Sequence, residues 1–259
     1  MKRLLFVAAC WLSAPAMAAD LVIVMDDLGY SLERAERVLA LPAPVTLGLL
    51  PFAPDTAAIA RRARRSGHEL ILHQPMEPLP ATAAHPLLPG TLTVDMPAAE
   101  FEAHMDAALR AVPGLVGLNN HTGSRLTQDA AAMRRLMGYL AGRDLMFLDS
   151  RTTPATVAYA MAREARVPAV QRDVFLDHVP RLIAMEREFQ RALAIARHNG
   201  HAVIIAHPYA VSIDFLQRAL TDLPDDVRVV SLRSLTDQVR PATLAQHENP
   251  ATPRRSLGQ

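Results

Sequence analysis

Residues 21–30 read Leu-Val-Ile-Val-Met-Asp-Asp-Leu-Gly-Tyr, a short apolar run that ends on two adjacent carboxylates and a glycine turn. A run of this length, rich in β-branched residues and closed by a turn signal, has the pattern of a buried strand. The same event recurs downstream with histidines. Leu70-Ile71-Leu72 leads into His73, Val116-Gly117-Leu118 into Asn119-Asn120-His121, Phe147-Leu148 into Asp149, and Val203-Ile204-Ile205-Ala206 into His207. In a parallel α/β fold the loops at the C-terminal ends of the strands share one face, so these side chains are expected to converge there as a metal-dependent site.

Between these runs and others at Val45–Leu50, Ala169–Gln171 and Val227–Val230 lie helical patterns near 32–40, 56–65, 98–111, 130–141, 157–165, 181–198, 213–220 and 232–239. Gly67 and Gly200 follow their helices as left-handed caps and Pro97 opens another. Strand and helix alternate about eight times, which predicts an α/β fold with a parallel sheet closed or partly closed into a barrel. The stretch Pro78–Pro89 lacks periodicity and is expected to lie as a long loop over the strand ends, where it can shape a groove.

Half of the 259 residues are apolar, enough for one domain with a sizeable core. The net charge of +1, from 27 basic and 26 acidic residues, offers no field for nucleic acid or anionic lipid. Met1-Lys2-Arg3, the apolar stretch Leu4–Leu12 and Ala16-Met17-Ala18 have the layout of a signal peptide over residues 1–18. It is too short for a permanent anchor. The mature chain is thus expected to be exported, periplasmic or secreted, with no stable membrane anchor. Its domain would span 19–240, and the polar, proline-containing stretch 241–259 would be a disordered tail. Cys10 falls within the leader, so any metal must be held by histidine and carboxylate ligands.

Adjacent carboxylates after a strand point different ways. One of Asp26 and Asp27 can therefore bind a cation while the other accepts a proton, although one could instead cap the helix starting near Ser31. His73 and Glu77 lie four apart, but Pro75 opposes a helix, so they are expected to meet through a turn. Asn119-Asn120-His121-Thr122-Gly123-Ser124 reads as one short loop offering a metal ligand and amides for a polar substrate. His207 is placed to act as a general acid, with Asp149 and Asp177 available to orient it or to cap helices. His178 is a candidate lining residue.

Together, Val-Met-Asp-Asp-Leu-Gly at 24–29, Leu-His-Gln-Pro-Met-Glu-Pro at 72–78, Asn-Asn-His-Thr-Gly-Ser at 119–124, Phe-Leu-Asp-Ser-Arg at 147–151 and Ala-His-Pro at 206–208 resemble the divergent polysaccharide deacetylase family. The resemblance implies a distorted (β/α) barrel of about seven to eight mostly parallel strands. It also implies a divalent metal, most often zinc, used to remove acetyl groups from an N-acetylated envelope or extracellular polysaccharide. By position, Asp26 resembles the catalytic base, Asp27 and His73 metal ligands, and His207 the general acid. Where the superfamily has a second histidine this chain has Glu77, so the third ligand is either Glu77 or, by preference, His121. The superfamily's arginine motif has no matching stretch, leaving Arg125 or Arg151 to serve. A rival reading is a non-catalytic protein on the same scaffold that binds a glycan or an envelope partner; a third is phosphoester hydrolysis at the same metal.

Overall fold

The computed structural model describes residues 18–79 and 86–239. The expected leader up to Met17, the expected tail from Pro241 and residues 80–85 of the Pro78–Pro89 loop lie outside them. The elements alternate as the sequence pattern requires. They are β1 (Ala19–Leu28), α1 (Leu32–Leu39), β2 (Thr46–Leu49), α2 (Thr56–Arg65), β3 (Leu70–Met76), α3 (Ala98–Ala111), β4 (Gly117–Thr122), α4 (Ala130–Leu140) and β5 (Met146–Asp149). There follow α5 (Ala158–Glu164), β6 (Ala169–Gln171), β7 (Val174–Phe175), α6 (Leu182–Asn199), β8 (His201–Ala206), α7 (Ala210–Thr221), β9 (Val227–Val229) and α8 (Leu232–Val239).

The sheet has 9 strands in the order β6-β5-β4-β3-β2-β1-β8-β7, with β9 pairing β1 off that path. Every ladder among them is parallel. The sheet curls into a half-barrel whose ends, β6 and β7, are joined by Arg172 and Asp173. There the Arg172 N–H donates to Asp149 O and the Asp173 N–H to Val203 O, so the chain crosses from the β5 edge to the β8 edge.

Alternation along each strand sorts the side chains into two layers. In β1, Leu21, Ile23 and Met25 face the helices and join the large outer core, whereas Val22 and Val24 face inward with Ile71, Leu148, Val203 and Ile205. Leu232 and Leu235 of α8 complete the inner cluster. At the same end Glu69 accepts from the Arg233 N–H and the Thr46 hydroxyl, and Arg233 donates to Val116 O and Asp144 O.

Strand boundaries depart from the apolar runs. β1 continues through Asp26 and Asp27, β3 through Pro75, and β4 through Asn119, Asn120 and His121, which the sequence had suggested as a loop. Polar side chains at the strand ends are held by one another rather than by apolar packing, so hydrophobicity stops before the ladder does. The two-residue β7 follows no apolar run and is new.

Candidate metal centre and active site

Inward parity brings the site together. Val22 and Val24 are followed on the same face by Asp26, Ile71 by His73, Gly117 by Asn119 and His121, Leu148 by Ser150, and Val203 and Ile205 by His207. In a regular strand Asp27 would face away from Asp26. The register between β1 and β2 shifts between Met25 and Leu28, and Asp27 adopts a left-handed φ of 57°. This bulge turns the second carboxylate into the same cavity. Asp26 needs room from β2: a Cβ on Gly48 would lie 2.2 Å from Asp26 Oδ1.

Asp27 Oδ1 lies 3.0 Å from His73 Nε2 and 2.9 Å from His121 Nδ1, and the two ring nitrogens are 3.0 Å apart. His73 Nδ1 is 2.8 Å from Asn119 Oδ1, so its N–H donates there and Nε2 is the nitrogen left to face a cation, once its proton is given up. Two imidazoles and a carboxylate spaced at about 3 Å fit the donor set of a divalent cation bonded at roughly 2.0–2.2 Å. These three residues could therefore hold a metal ion.

Asn119 also donates through Nδ2 to both oxygens of Asp26, at 3.0 and 2.8 Å, and to Ser150 Oγ. One amide thus orients the His73 imidazole and the neighbouring carboxylate together. Asp26 is 1% exposed. Its burial raises its pKa, only partly offset by His73, His207 and the Asn119 bond. Burial also works to raise Asp27, yet the hydrogen bonds and charges of His121 and His73 win and hold it below the usual carboxylate range. For His73, burial opposes protonation, but Asp26 and Asp27 outweigh it and lift the imidazole to about 9.

On the opposite wall Asp177 fixes His207. It takes the ring N–H at Nδ1, 2.9 Å away, the His207 backbone N–H at 2.7 Å and the Ser212 hydroxyl at 2.7 Å. The other nitrogen, Nε2, is 3.8 Å from Asp27 Oδ2, inside the cavity. Burial lowers the imidazole pKa but Asp177 overcomes it, leaving the net shift upward. Phe175 packs edge-on against the ring at 5.0 Å.

These groups line a cavity of about 470 Å³, together with Asn120, Ser150, Arg151, Thr152, Arg172 and His178. A larger space of about 760 Å³ lies on the outer surface between α6 and α7, over Phe189 and Phe215, and contains no histidine. Asp26, Asp27, His73, His121, Asn120 and His207 line one cavity, with Asn119 and Asp177 bonded directly behind them.

Glu77 and Asp149 stand apart from it. Glu77 forms an ion pair with Arg125 and accepts from the Val94 N–H. Four residues along a strand span about 13 Å, so His73 and Glu77 do not meet. Asp149 has the outward parity of β5 and accepts from the Thr156 hydroxyl and the Arg151 and Tyr159 N–H groups, bracing the loop into α5 and not His207. Ser31, not either aspartate, caps α1. Arg125 is engaged with Glu77 and Asp95, whereas Arg151 and the unanticipated Arg172 line the cavity. Inward parity carried past the end of β5 would have found Ser150. Arg172, beside the two-residue β7, carried no signal of its own.

The sequence pattern of divergent polysaccharide deacetylases matches residues 23–236. The chain belongs to that family. The uncharacterized protein YibQ of Escherichia coli K12 is 36% identical over 97% of this chain and 78% of its own. The crystal structure of the uncharacterized protein ATU2773 from Agrobacterium tumefaciens C58 superposes with a TM-score of 0.80, at 25% identity over 86% of this chain and 91% of that one. The T48 deacetylase with substrate shares the fold, with a TM-score of 0.51 at 14% identity over 85% of this chain and 92% of its own.

Proposed function

We propose that this family member is a metal-dependent hydrolase that deacetylates an N-acetylated envelope or extracellular polysaccharide. The observation that carries the reading is the pairing of the Asp27–His73–His121 donor set with a separate buried carboxylate, Asp26, and an Asp177-backed imidazole, His207, in one cavity. Zinc suits the donor set. When bound there, such a cation supplies Lewis acidity toward a carbonyl and lowers the pKa of water.

Asp26 accepts the proton of the attacking water; burial raises its pKa, which makes it a stronger base than an exposed carboxylate. The acetyl carbon gains an oxygen, its bond to nitrogen breaks, and the products are acetate and a free amine. His207 delivers a proton to the departing nitrogen. Asp177 fixes the proton on Nδ1, so the one delivered is the second proton, carried by the imidazolium on Nε2, which faces the cavity. Asn119 holds Asp26 and His73 in fixed relation.

The layout of residues 1–18 supports export, with action in the periplasm or outside the cell on a glycan and not on nucleic acid. Among the described residues no helix is long and apolar enough to cross a membrane.

The test is acetate release from an N-acetylated oligosaccharide by the purified mature protein. Release should require a divalent metal and be abolished by Asp26→Asn with metal content retained. Full activity in that variant removes Asp26 as base. Glycan binding without acetate release, even with added metal, favours a binding protein on this scaffold, and phosphate release favours phosphoester chemistry.

A further inference from the structure

The metal-binding cluster lies between two spaces of different character. One, about 490 Å³, shares Asp27, His121 and Thr122 with the cavity of Asp26 and His207 and is walled by apolar groups including Tyr30, Leu50, Met76 and Leu87. The other is the cavity of Asp26 and His207, and its far wall carries Arg151, Arg172 and His178. Every arginine ion pair among the described residues lies elsewhere, so neither Arg151 nor Arg172 is neutralised by a carboxylate contact.

Arg172 is held from behind. Its Nε donates to Ser150 O at 2.7 Å and its Nη2 to Arg151 O at 2.9 Å, and its guanidinium carbon sits 5.3 Å from the centre of the Phe175 ring. A guanidinium has five N–H donors, and the remaining ones have no protein partner among the described residues. Arg151 follows β5 in a left-handed conformation, φ 49°, with its N–H donating to Asp149 Oδ1. Burial and the nearby Arg151 charge depress the Arg172 pKa, against the opposing pull of Asp149 and Asp173, neither of which it contacts. Two neighbouring like charges, Arg172 half-buried and Arg151 exposed, repel each other in the free protein, and an anion relieves them through charge-assisted, fork-shaped hydrogen bonds.

We propose that Arg151 and Arg172 form an anion subsite, so that the natural substrate carries a carboxylate or phosphate group beside its N-acetylated sugar. This rests on the deacetylase reading of the neighbouring centre. With a net charge of only +1 over the chain, the attraction is local to this wall.

The experiment compares matched N-acetylated oligosaccharides, one neutral, one bearing a carboxylate and one a phosphate. Binding is measured by calorimetry on the zinc-loaded Asp26→Asn protein, in parallel with acetate release by the unmodified protein. At least one anionic ligand should bind about tenfold tighter than the neutral one, and the preferred anion identifies the group. The advantage should shrink as salt rises. Arg151→Gln, with its melting temperature checked, should narrow the gap to about threefold or less, and Arg172→Lys, which keeps the charge but loses the fork, should narrow it too. The salt dependence requires neither arginine variant. Equal affinity for all three ligands, or no measurable binding of any, overturns the proposal. So does free acetate competing as well as the anionic glycan, which would assign the wall to the reaction product. Acetate release without anion preference leaves the deacetylase reading standing and this one fallen; anion preference without acetate release does the reverse.

Discussion

At the N-terminal ends of the strands, Leu232 and Leu235 fill the barrel interior and Glu69, Thr46 and Arg233 satisfy one another across the base. At the C-terminal ends the same inward positions carry Asp26, His73, Asn119 and His207. Asp27 and Thr122, at the ends of their strands, and Arg151, just past β5, take left-handed conformations there. Such conformations cost about 1–3 kcal/mol each in non-glycine residues. Asp144 and Arg166, at the other end, also have positive φ, but they sit in helix-to-strand turns, where that geometry is common. Of the exposed large apolar side chains among the described residues, Tyr30, Phe52, Leu79, Leu87, Val179 and Tyr209 lie in loops that follow strands, while Leu182 and Ile183 open α6 and Val239 ends α8. One end of the barrel stabilises the fold, and the other holds strain, buried charge and exposed apolar surface where a ligand can use them.

Substitutions at the two ends should therefore separate chemistry from stability. The largest effect belongs to Asp26→Asn, in which acetate release should fall by about 10³-fold or more while the melting temperature holds or rises, because a buried carboxylate is replaced by a neutral amide. Parallel loss of melting temperature would blur the division. At the base, Leu232→Ala should cost about 3 kcal/mol in denaturant titration, with zinc affinity unchanged. A loss of zinc affinity there would couple the ends. Gly48→Ala sits between the two cases, since its Cβ would meet Asp26 Oδ1. Displacing the base should lower kcat by about 10²-fold, and unchanged kcat would show that Asp26 moves freely. The smallest effect is on pH. Metal must displace the proton that Asp26 and Asp27 hold on His73, whose pKa is about 9. Affinity for zinc should thus rise by up to about tenfold per pH unit as pH climbs toward 9 and level off above it. A flat profile would exclude His73 as a ligand.

Much of the fold was legible, because apolar runs and helical spacing report burial, and burial is what the sheet and its helices share. The site was legible where a polar residue directly follows such a run, as at Asp26, His73 and His207. It was less so where polar residues lie within the ladder. Asn119-Asn120-His121 looks like turn chemistry, yet its amides replace apolar packing by bonding to Asp26, His73 and Ser150. Glu77 misled because a turn was expected after His73, whereas β3 runs on through Pro75 to Met76 and carries Glu77 away. Asp149 misled by adjacency, whereas counting by twos from Met146 and Leu148 puts it on the outer face.

The central claim is that Asp27, His73 and His121 hold one divalent cation. Metal analysis combined with X-ray absorption on the zinc-loaded protein tests it most directly. One zinc per chain, coordinated by two imidazole nitrogens and a carboxylate oxygen and lost in His121→Ala, is the result the account predicts. Zinc absent after loading, or bound without histidine, would contradict it.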